Sequence, residues 1–513
     1  MTAGEALPPA RPPAGRTLAL GVLLPLLAGS ACVFGFAPFY AWPVPLVALT
    51  LLFFAWQASG SPRQAALSGF AFGLGYFLAG VSWVYVSLHD FGSMPAPLAA
   101  AATFLFCAFL ALFPAAAGWI ASRLGATPAR RALLAAAAMT LTEWVRGWIF
   151  TGFPWLNFGT SQVPAGPLAG LAPYVGAYGV SLAVCLAAAS ALLALSPVVP
   201  RRERAFAGLG FVLLMAAGMS GPALEWTRPA GEAVTIGVLQ GNVPQRIKWQ
   251  EDVRTRTLQD YRRMIFETDA RIVVTPETAL PAFLDQLPAD YLQSLRDHAR
   301  AAGKDILLGT VEREFTGDSF RYYNSLVRIG GEPGAASYRK RHLVPFGEFI
   351  PPGFPWILAV LRIPMSDFDR GAANQPPLVA AGTPFAVAIC YEDLFGEEMI
   401  EQLPAARVLV NVSNDAWFGE SFAADQHLQA SQMRALESGR WMVRATNTGA
   451  SAVIDDRGRV LKRLPPFVAG TLIEPVQPRD GATPYVRCGN APAIAIALVL
   501  LLAAARGRRA RPL

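Results

Sequence analysis

Charged residues are missing from two long tracts of this chain and spread through a third. No Asp, Glu, Lys or Arg occurs between Thr17 and Pro62 or between Gly147 and Pro200, and the first lysine is Lys248. Such tracts exceed the roughly 20 apolar residues that cross a bilayer as a helix. The pattern predicts eight spans, at about 17–36, 42–58, 66–88, 97–121, 131–150, 172–196, 205–222 and 489–505. Within the first tract, "FAPFYAWPVP" interrupts the apolar run with prolines and aromatics, which suits a hairpin near an interface and two shorter helices.

From about Glu225 to Arg487 the pattern changes. Short apolar runs rich in β-branched residues ("AVTIGVLQGN", "ARIVVTPETA", "KDILLGTVE", "YYNSLVRIG", "FAVAICYE", "ARVLVNVSND", "ASAVIDDRGRV") are separated by segments of helical period such as "DVRTRTLQDYRRMIFETDA" and "ADYLQSLRDHARAAG". Strand and helix in alternation predict an α/β domain whose strands are covered by helices. The expected organisation is a membrane domain of about seven helices at 1–224, an inserted α/β domain at 225–487, and a last span with a basic tail at 488–513.

Composition agrees: 53% hydrophobic against 15% charged residues is too apolar for an ordinary soluble chain. Charge then orients it. Arg11 and Arg16 precede the first span, and Arg63, the Arg123–Arg130–Arg131 group and the Arg201–Arg202–Arg204 group follow the second, fourth and sixth. "RGRRARPL" follows the eighth, whereas "HDFGSMPAP" and "TGFPWLNFGTSQVPAG" contain no Lys or Arg. The positive-inside rule puts both termini in the cytoplasm and the α/β insert on the opposite side. The net charge of +7 is therefore mainly a topology signal, and no nucleic-acid partner is expected. A cleaved signal peptide fits the first run less well than a retained helix, because its apolar stretch continues far beyond an h-region.

Three segments carry polar chemistry at strand ends, where α/β sheets tend to gather it. "VVTPETALP" puts Glu277 just past an apolar strand. "SYRKRHLVPFGEFIP" puts Lys340 ahead of an apolar turn, with Glu348 eight residues on, and "AICYEDLFG" delivers Cys390 at a strand end followed by Tyr391 and Glu392. A thiol of ordinary pKa, about 8.5, is mostly protonated at neutral pH, so a nucleophilic Cys390 needs a base. Neither His342 nor His427 stands in a sequence context typical of one.

Glu, Lys and Cys in this order and these contexts resemble the nitrilase superfamily, which implies an α-β-β-α sandwich with a Glu–Lys–Cys catalytic set. The ordered motifs "GVSWVYVSLHDFG", "EWVRGWIFTGFPWLNFG", "LQGNVPQRIKW", "TPETALP", "YRKRHLVPFGEFIP", "CYEDLF" and "VSNDAWFG" span nearly the whole chain and resemble the apolipoprotein N-acyltransferase family. One departure is Thr275, where the family often has an aromatic residue. The resemblance implies acyl transfer from a phospholipid to a diacylglyceryl apolipoprotein at the surface of a bacterial inner membrane, through a Cys390 thioester, without metal or cofactor. Glu277 would be the base and Lys340 the cation beside thiolate and oxyanion. Glu348, Tyr391 and Glu392 carry over as supporting residues, and Trp249 as a substrate contact; Trp417 and Phe418 are candidates for a lipid-facing role, and the position of Arg146 near the outer end of the fifth span permits a headgroup contact.

Blander readings compete. Cys32, Cys107 and Cys185 lie in apolar spans and read as core, and a Cys390–Cys488 disulfide is possible, but five cysteines do not make a disulfide framework. Trp417 and Phe418 also suit an apolar core, and Glu143 with Arg146, at helical spacing, can simply neutralise each other. Two other functions fit the outline: a membrane-tethered nitrilase-type amidase acting on a small amide or nitrile, and a transporter with an appended binding domain. The second expects ionisable residues through several spans, which this sequence lacks outside Glu143 and Arg146.

Overall fold

The computed structural model describes residues 18–221, 224–330, 336–351, 353 and 367–506. Arg11, Arg16 and the tail beyond Arg506 lie outside the described residues. The N-terminal half is helical: α1 (Ala19–Gly35), α2 (Pro43–Ala58), α3 (Pro62–Val81), α4 (Ala96–Leu124), α5 (Pro128–Arg146), α6 (Ala172–Leu195, preceded by a 3₁₀ turn at Pro167–Leu171) and α7 (Arg201–Ser220). The starts of α3 and α5 follow from local chemistry. Ser61 and Thr127 each accept the backbone N–H three residues on, and Pro62 and Pro128 occupy the first helical position, where no N–H is needed.

A helix stands at each expected span, and among the described residues four apolar segments are long enough to cross a membrane: Pro62–Val81, Ala96–Leu124, Pro167–Leu195 and Arg201–Ser220. The segments α1, α2 and Ala491–Arg506 are apolar but shorter. Helix α3 ends at Val81, and after a turn at Ser82 and Trp83 the chain is helical again over Val84–Val86 and Ser87–Phe91, where the Ser87 hydroxyl donates to the Trp417 carbonyl at 2.8 Å. Small residues let helices touch. A Cβ on Gly69 would sit 2.3 Å from the Pro114 carbonyl oxygen and one on Gly73 2.7 Å from Ala111 Cα, so α3 and α4 pack backbone to backbone. In α7 only Gly218 is fully buried: Phe211, Leu214 and Met215 pack against the helical core, while Phe206, Leu209, Val212, Leu213 and Met219 are exposed.

The second half is built on β1 (Thr227–Pro229), β2 (Val234–Gln240), β3 (Ile272–Val274), β4 (Asp305–Phe315), β5 (Phe320–Ile329), β6 (Ser337–Arg339), β7 (Leu378–Ala380), β8 (Thr383–Ile389), β9 (Val408–Ser413), β10 (Met442–Thr446), β11 (Ala452–Ile454), β12 (Val460–Arg463), β13 (Gly470–Val476) and β14 (Arg479–Gly481). They form two six-stranded sheets, ordered β13-β2-β3-β4-β5-β6 and β12-β11-β10-β9-β8-β7, and a β1-β14 ribbon. Each large sheet has a parallel centre, β2-β3-β4 or β8-β9-β10, with antiparallel flanks. Alternate residues serve different layers. Ile236, Val238, Ile272 and Leu307 of one sheet meet Phe385, Val387, Val410 and Val443 of the other, each burial contributing about 1.5–3 kcal/mol.

On the opposite face of the first sheet, Leu239, Val273 and Ile306 pack against helices α8 (Glu251–Glu267) and α9 (Ala289–Ala302). Behind the second sheet lies α10 (Ala423–Ser438), and the chain ends in α11 (Ala491–Arg506). Helix α10 joins the halves. All its residues except Ala424 and Asp425 are buried, although most are polar. Gln426 accepts from the indoles of Trp83 and Trp155 and donates to the Gly80 carbonyl, while Gln429 accepts from Ala37 N–H and donates to the Val163 carbonyl.

Candidate active site

The loops leaving β3, β6 and β8 converge. Strand β3 runs into Pro276 and Glu277, and this turn lies directly on β4 because residue 309 is glycine: a Cβ there would be 1.9 Å from the Pro276 carbonyl oxygen. Thr275, the departure from the family pattern, uses its hydroxyl to accept the Gly309 N–H at 2.9 Å, which ties the same turn down. Strand β6 ends at Arg339 and hands over Lys340, whose N–H donates to the Asn324 carbonyl. Cys390 follows β8 in a left-handed conformation, φ 54°, which for a residue with a side chain costs about 1–3 kcal/mol.

Glu277, Lys340 and Glu348 form a buried cluster. Lys340 Nζ lies 2.8 Å from Glu348 Oε2 and 3.4 Å from Glu277 Oε1. Asn324, on β5, donates its amide to both carboxylates, at 2.7 Å to Glu277 and 3.0 Å to Glu348, and the Val344 N–H donates to Glu348. Burial opposes the charge on Lys340, yet Glu348 and then Glu277 overrule it and hold the ammonium above its ordinary pKa. Cys390 is partly exposed. Burial, and next the Glu277 carboxylate, push its thiol well above the ordinary range against the pull of Lys340. At neutral pH the resting sulfur is a thiol, and attack requires a base at that moment.

The cluster opens into a cavity of about 1650 Å³ lined from both halves of the molecule. Glu277, Lys340, Glu348 and Cys390 occupy one wall, and Phe106, Phe109 and Leu110 of α4 another. Trp249, Trp417, Phe418 and Arg146, expected as substrate contacts, all reach this cavity. Their settings differ. Trp249 is 38% exposed; Phe418 packs 4.5 Å from the Trp83 ring, and Trp417 meets Phe91 at 5.8 Å. Arg146 is buried and donates to the Phe153 and Trp155 carbonyls and to Asn157, and Glu143, 3.6 Å from it, accepts the Phe158 N–H. The pair therefore braces the 153–158 loop that forms part of the cavity wall.

Glu392 and Tyr391 serve the turn that carries the thiol. Glu392 accepts the N–H groups of Ile389, Arg341 and His342 and so anchors the Cys390 turn to the Lys340 loop; burial raises its pKa, and those N–H groups oppose the rise. Tyr391 donates its hydroxyl to the Gly152 carbonyl across the junction. Cys390 and Cys488 are both free thiols.

Several residues escaped the sequence reading. Asn324 had no motif to mark it. Lys248 lines the cavity, is 2% exposed, and has its pKa lowered by burial to about 8 against the favourable pull of Glu277. Behind Cys390, Asp393, His427, Asp415 and Arg444 form a ring: His427 lies 2.7 Å from Asp393 and 2.9 Å from Asp415, and Arg444 lies 2.9 Å from each. An arginine inside the apolar strand "MVRAT" was the available signal, since such a charge is almost never buried unpaired.

Comparison with known proteins agrees with this anatomy. The apolipoprotein N-acyltransferase N-terminal domain matches residues 28–190 and the carbon-nitrogen hydrolase domain residues 235–484. Apolipoprotein N-acyltransferase of Nitrosomonas europaea is 52% identical over 479 residues, covering 93% of this chain and 95% of its own length. Those of Methylococcus capsulatus and Ralstonia nicotianae are each 46% identical, covering 95% and 98% of this chain and 96% and 98% of theirs. With both domain families in order and identities of this size over almost the full length, the chain belongs to the apolipoprotein N-acyltransferase family.

Proposed function

We propose that this protein moves an acyl chain from a phospholipid to the α-amino group of the diacylglyceryl-cysteine at the N-terminus of an apolipoprotein, through a thioester on Cys390. The observation that carries the reading is the cavity shared by the Glu277–Lys340–Cys390 cluster and the apolar side chains of α4. A small-amide hydrolase has no use for such a wall. In this reading residues 1–224 and 488–513 cross a bacterial inner membrane eight times, both termini are cytoplasmic, and residues 225–487 form a periplasmic α-β-β-α sandwich.

The chemistry divides into two transfers. Glu277 takes the Cys390 proton as sulfur attacks the ester carbonyl, and the negative oxygen forms beside the Lys340 ammonium. The C–O bond then breaks, Glu277 returns the proton to the departing alkoxide, and a lysophospholipid leaves. In the second half the acceptor amine attacks the thioester, Glu277 takes a proton from nitrogen, the C–S bond breaks, and the proton returns to sulfur. Glu348 holds Lys340 in place, Glu392 and Tyr391 hold the turn, and Trp249, Trp417 and Phe418 offer apolar contact to the chains. Arg146 acts through the loop it braces.

The deciding experiment is intact-protein mass spectrometry after incubation with a defined phospholipid and no acceptor, beside Cys390→Ala. A hydroxylamine-labile acyl adduct on the native chain alone, discharged by a diacylated lipopeptide, is the expected result. An unmodified folded protein with intact phospholipid would sink acyl transfer in favour of a small-amide hydrolase.

A further inference from the structure

Cys390 holds a backbone conformation that residues with side chains avoid, φ 54°, so something must hold it there. Two side chains reach its carbonyl oxygen: Asn411 Nδ2 donates at 3.0 Å, and His427 Nε2 lies 3.2 Å away. The surroundings of His427 dictate its charge. Its Nδ1 faces Asp415 Oδ1 at 2.9 Å, and its Nε2 faces Asp393 Oδ1 at 2.7 Å as well as the Cys390 carbonyl. Among the described residues each ring nitrogen meets only acceptors, so each must carry a hydrogen, and the ring is an imidazolium.

Arg444 closes the other side, donating Nη1 to Asp393 Oδ2 and Nη2 to Asp415 Oδ2, and Nη1 also donates to Asn411 Oδ1. Ser431 and Ser413 donate to the same two aspartates. Two carboxylates and two cations thus balance within a site where all four are buried. Burial and Arg444 lower the His427 pKa, but Asp393 and Asp415 win and push it up to about 9. From the membrane half, the Trp155 ring covers the imidazole at 5.4 Å.

We propose that His427, held as an imidazolium at neutral pH, is together with Asn411 a positioning device that clamps the Cys390 carbonyl and thereby keeps the sulfur aimed into the cavity. The ring's two cations are one step from the nucleophile: His427 touches its carbonyl directly, and Arg444 fixes the amide of Asn411. A neutral histidine cannot serve, because one nitrogen would set a lone pair against a carboxylate.

The chain has four histidines, so ring-¹⁵N labelling of the full-length protein in detergent micelles gives a readable spectrum, with His427 assigned by comparison with single variants at His89, His298 and His342. Both His427 nitrogens should remain protonated from pH 6 to 8; one unprotonated nitrogen at pH 7 overturns the proposal. Kinetics supply the second arm. His427→Gln should slow acyl-enzyme formation about 100-fold, the scale of misplacing a reacting group by an ångström, with the phospholipid KM within about twofold. If that variant does not fold, Asn411→Leu, which removes the other clamp, should slow the step about tenfold with the same unchanged KM. Adduct formation at the wild-type rate in either folded variant overturns the clamp. The inference rests on Cys390 being acylated: a wild-type chain that forms no adduct removes the proposed function itself, whereas equal rates in wild type and variants remove the clamp alone.

Discussion

Two clusters of buried charge flank Cys390, and they are built differently. Behind it, Asp393 and Asp415 present four carboxylate oxygens, and each has a donor from His427 or Arg444, with Ser431 and Ser413 adding two more. In front, Glu277 and Glu348 share one ammonium, Lys340, while a second cation, Lys248, lines the same cavity. The rear ring is closed on itself, with Asp393, Asp415 and Arg444 set back from the cavity. A closed cluster has every charge matched and nothing left to offer a substrate. The front cluster is open on one side, and that opening is what lets charges perturb a thiol and meet a reacting carbonyl.

The sharpest test of this difference removes one cation from each cluster. Arg444→Met leaves two buried carboxylates facing a single imidazolium, and should destabilise the fold by about 3–5 kcal/mol, measured by thermal or denaturant unfolding in detergent. Lys340→Met should instead lower acyl-enzyme formation about 100- to 1000-fold, the scale seen when a preorganised charge is lost from a transition state. Its melting temperature should fall less than that of Arg444→Met, because water from the cavity reaches the stranded carboxylates. Equal losses of stability would erase the distinction between the two clusters.

pH separates them further. The folded His427 pKa of about 9 lies above its ordinary 6.5, so its stabilisation is complete below pH 6.5 and lost as pH rises through 9, about 3 kcal/mol in all. Asp415, held near 2 by Arg444 and His427 despite its burial, acts in the other direction: its share is present above 3.8 and lost as pH falls toward 2. The unfolding free energy of wild type minus that of His427→Gln, measured across pH, should be largest below about 6.5 and shrink as pH rises toward 9. The smallest effect belongs to the junction beside the ring. Gln426→Leu strands the indole N–H groups of Trp83 and Trp155 and should cost about 1–3 kcal/mol of stability without changing the acylation chemistry.

How much of this was legible depends on which physical signal each element carries. Helices α1 to α7 and α11 announce themselves by long apolar stretches with charge confined mostly to their ends, and β2, β4, β8 and β9 by short apolar runs. Glu277, Lys340 and Cys390 stand beside prolines or strand ends in recognisable motifs. Helix α10 was missed. Its sequence, "AADQHLQASQMRALES", is polar on every side and would suit a solvent-exposed helix, yet it is buried because Gln426 and Gln429 find partners in the membrane half that no local pattern shows. Strands β10 and β13 were passed over for a related reason: "MVRAT" contains the ring arginine and "GTLIEPV" a glutamate and a proline, so neither reads as a clean apolar run.

By itself, the sequence determined the division into a helical membrane half and an α/β half, the arginine asymmetry, and the three residues proposed for the chemistry. These follow from local composition and from motifs contiguous along the chain. Only the tertiary structure decided that Asn324 bridges Glu277 to Glu348, that the Glu143–Arg146 pair braces a cavity wall, and that His427 meets Cys390 across 37 residues. The reason is energetic: the cost of burying a polar group depends on the partner it finds, and that partner is chosen by how distant segments pack.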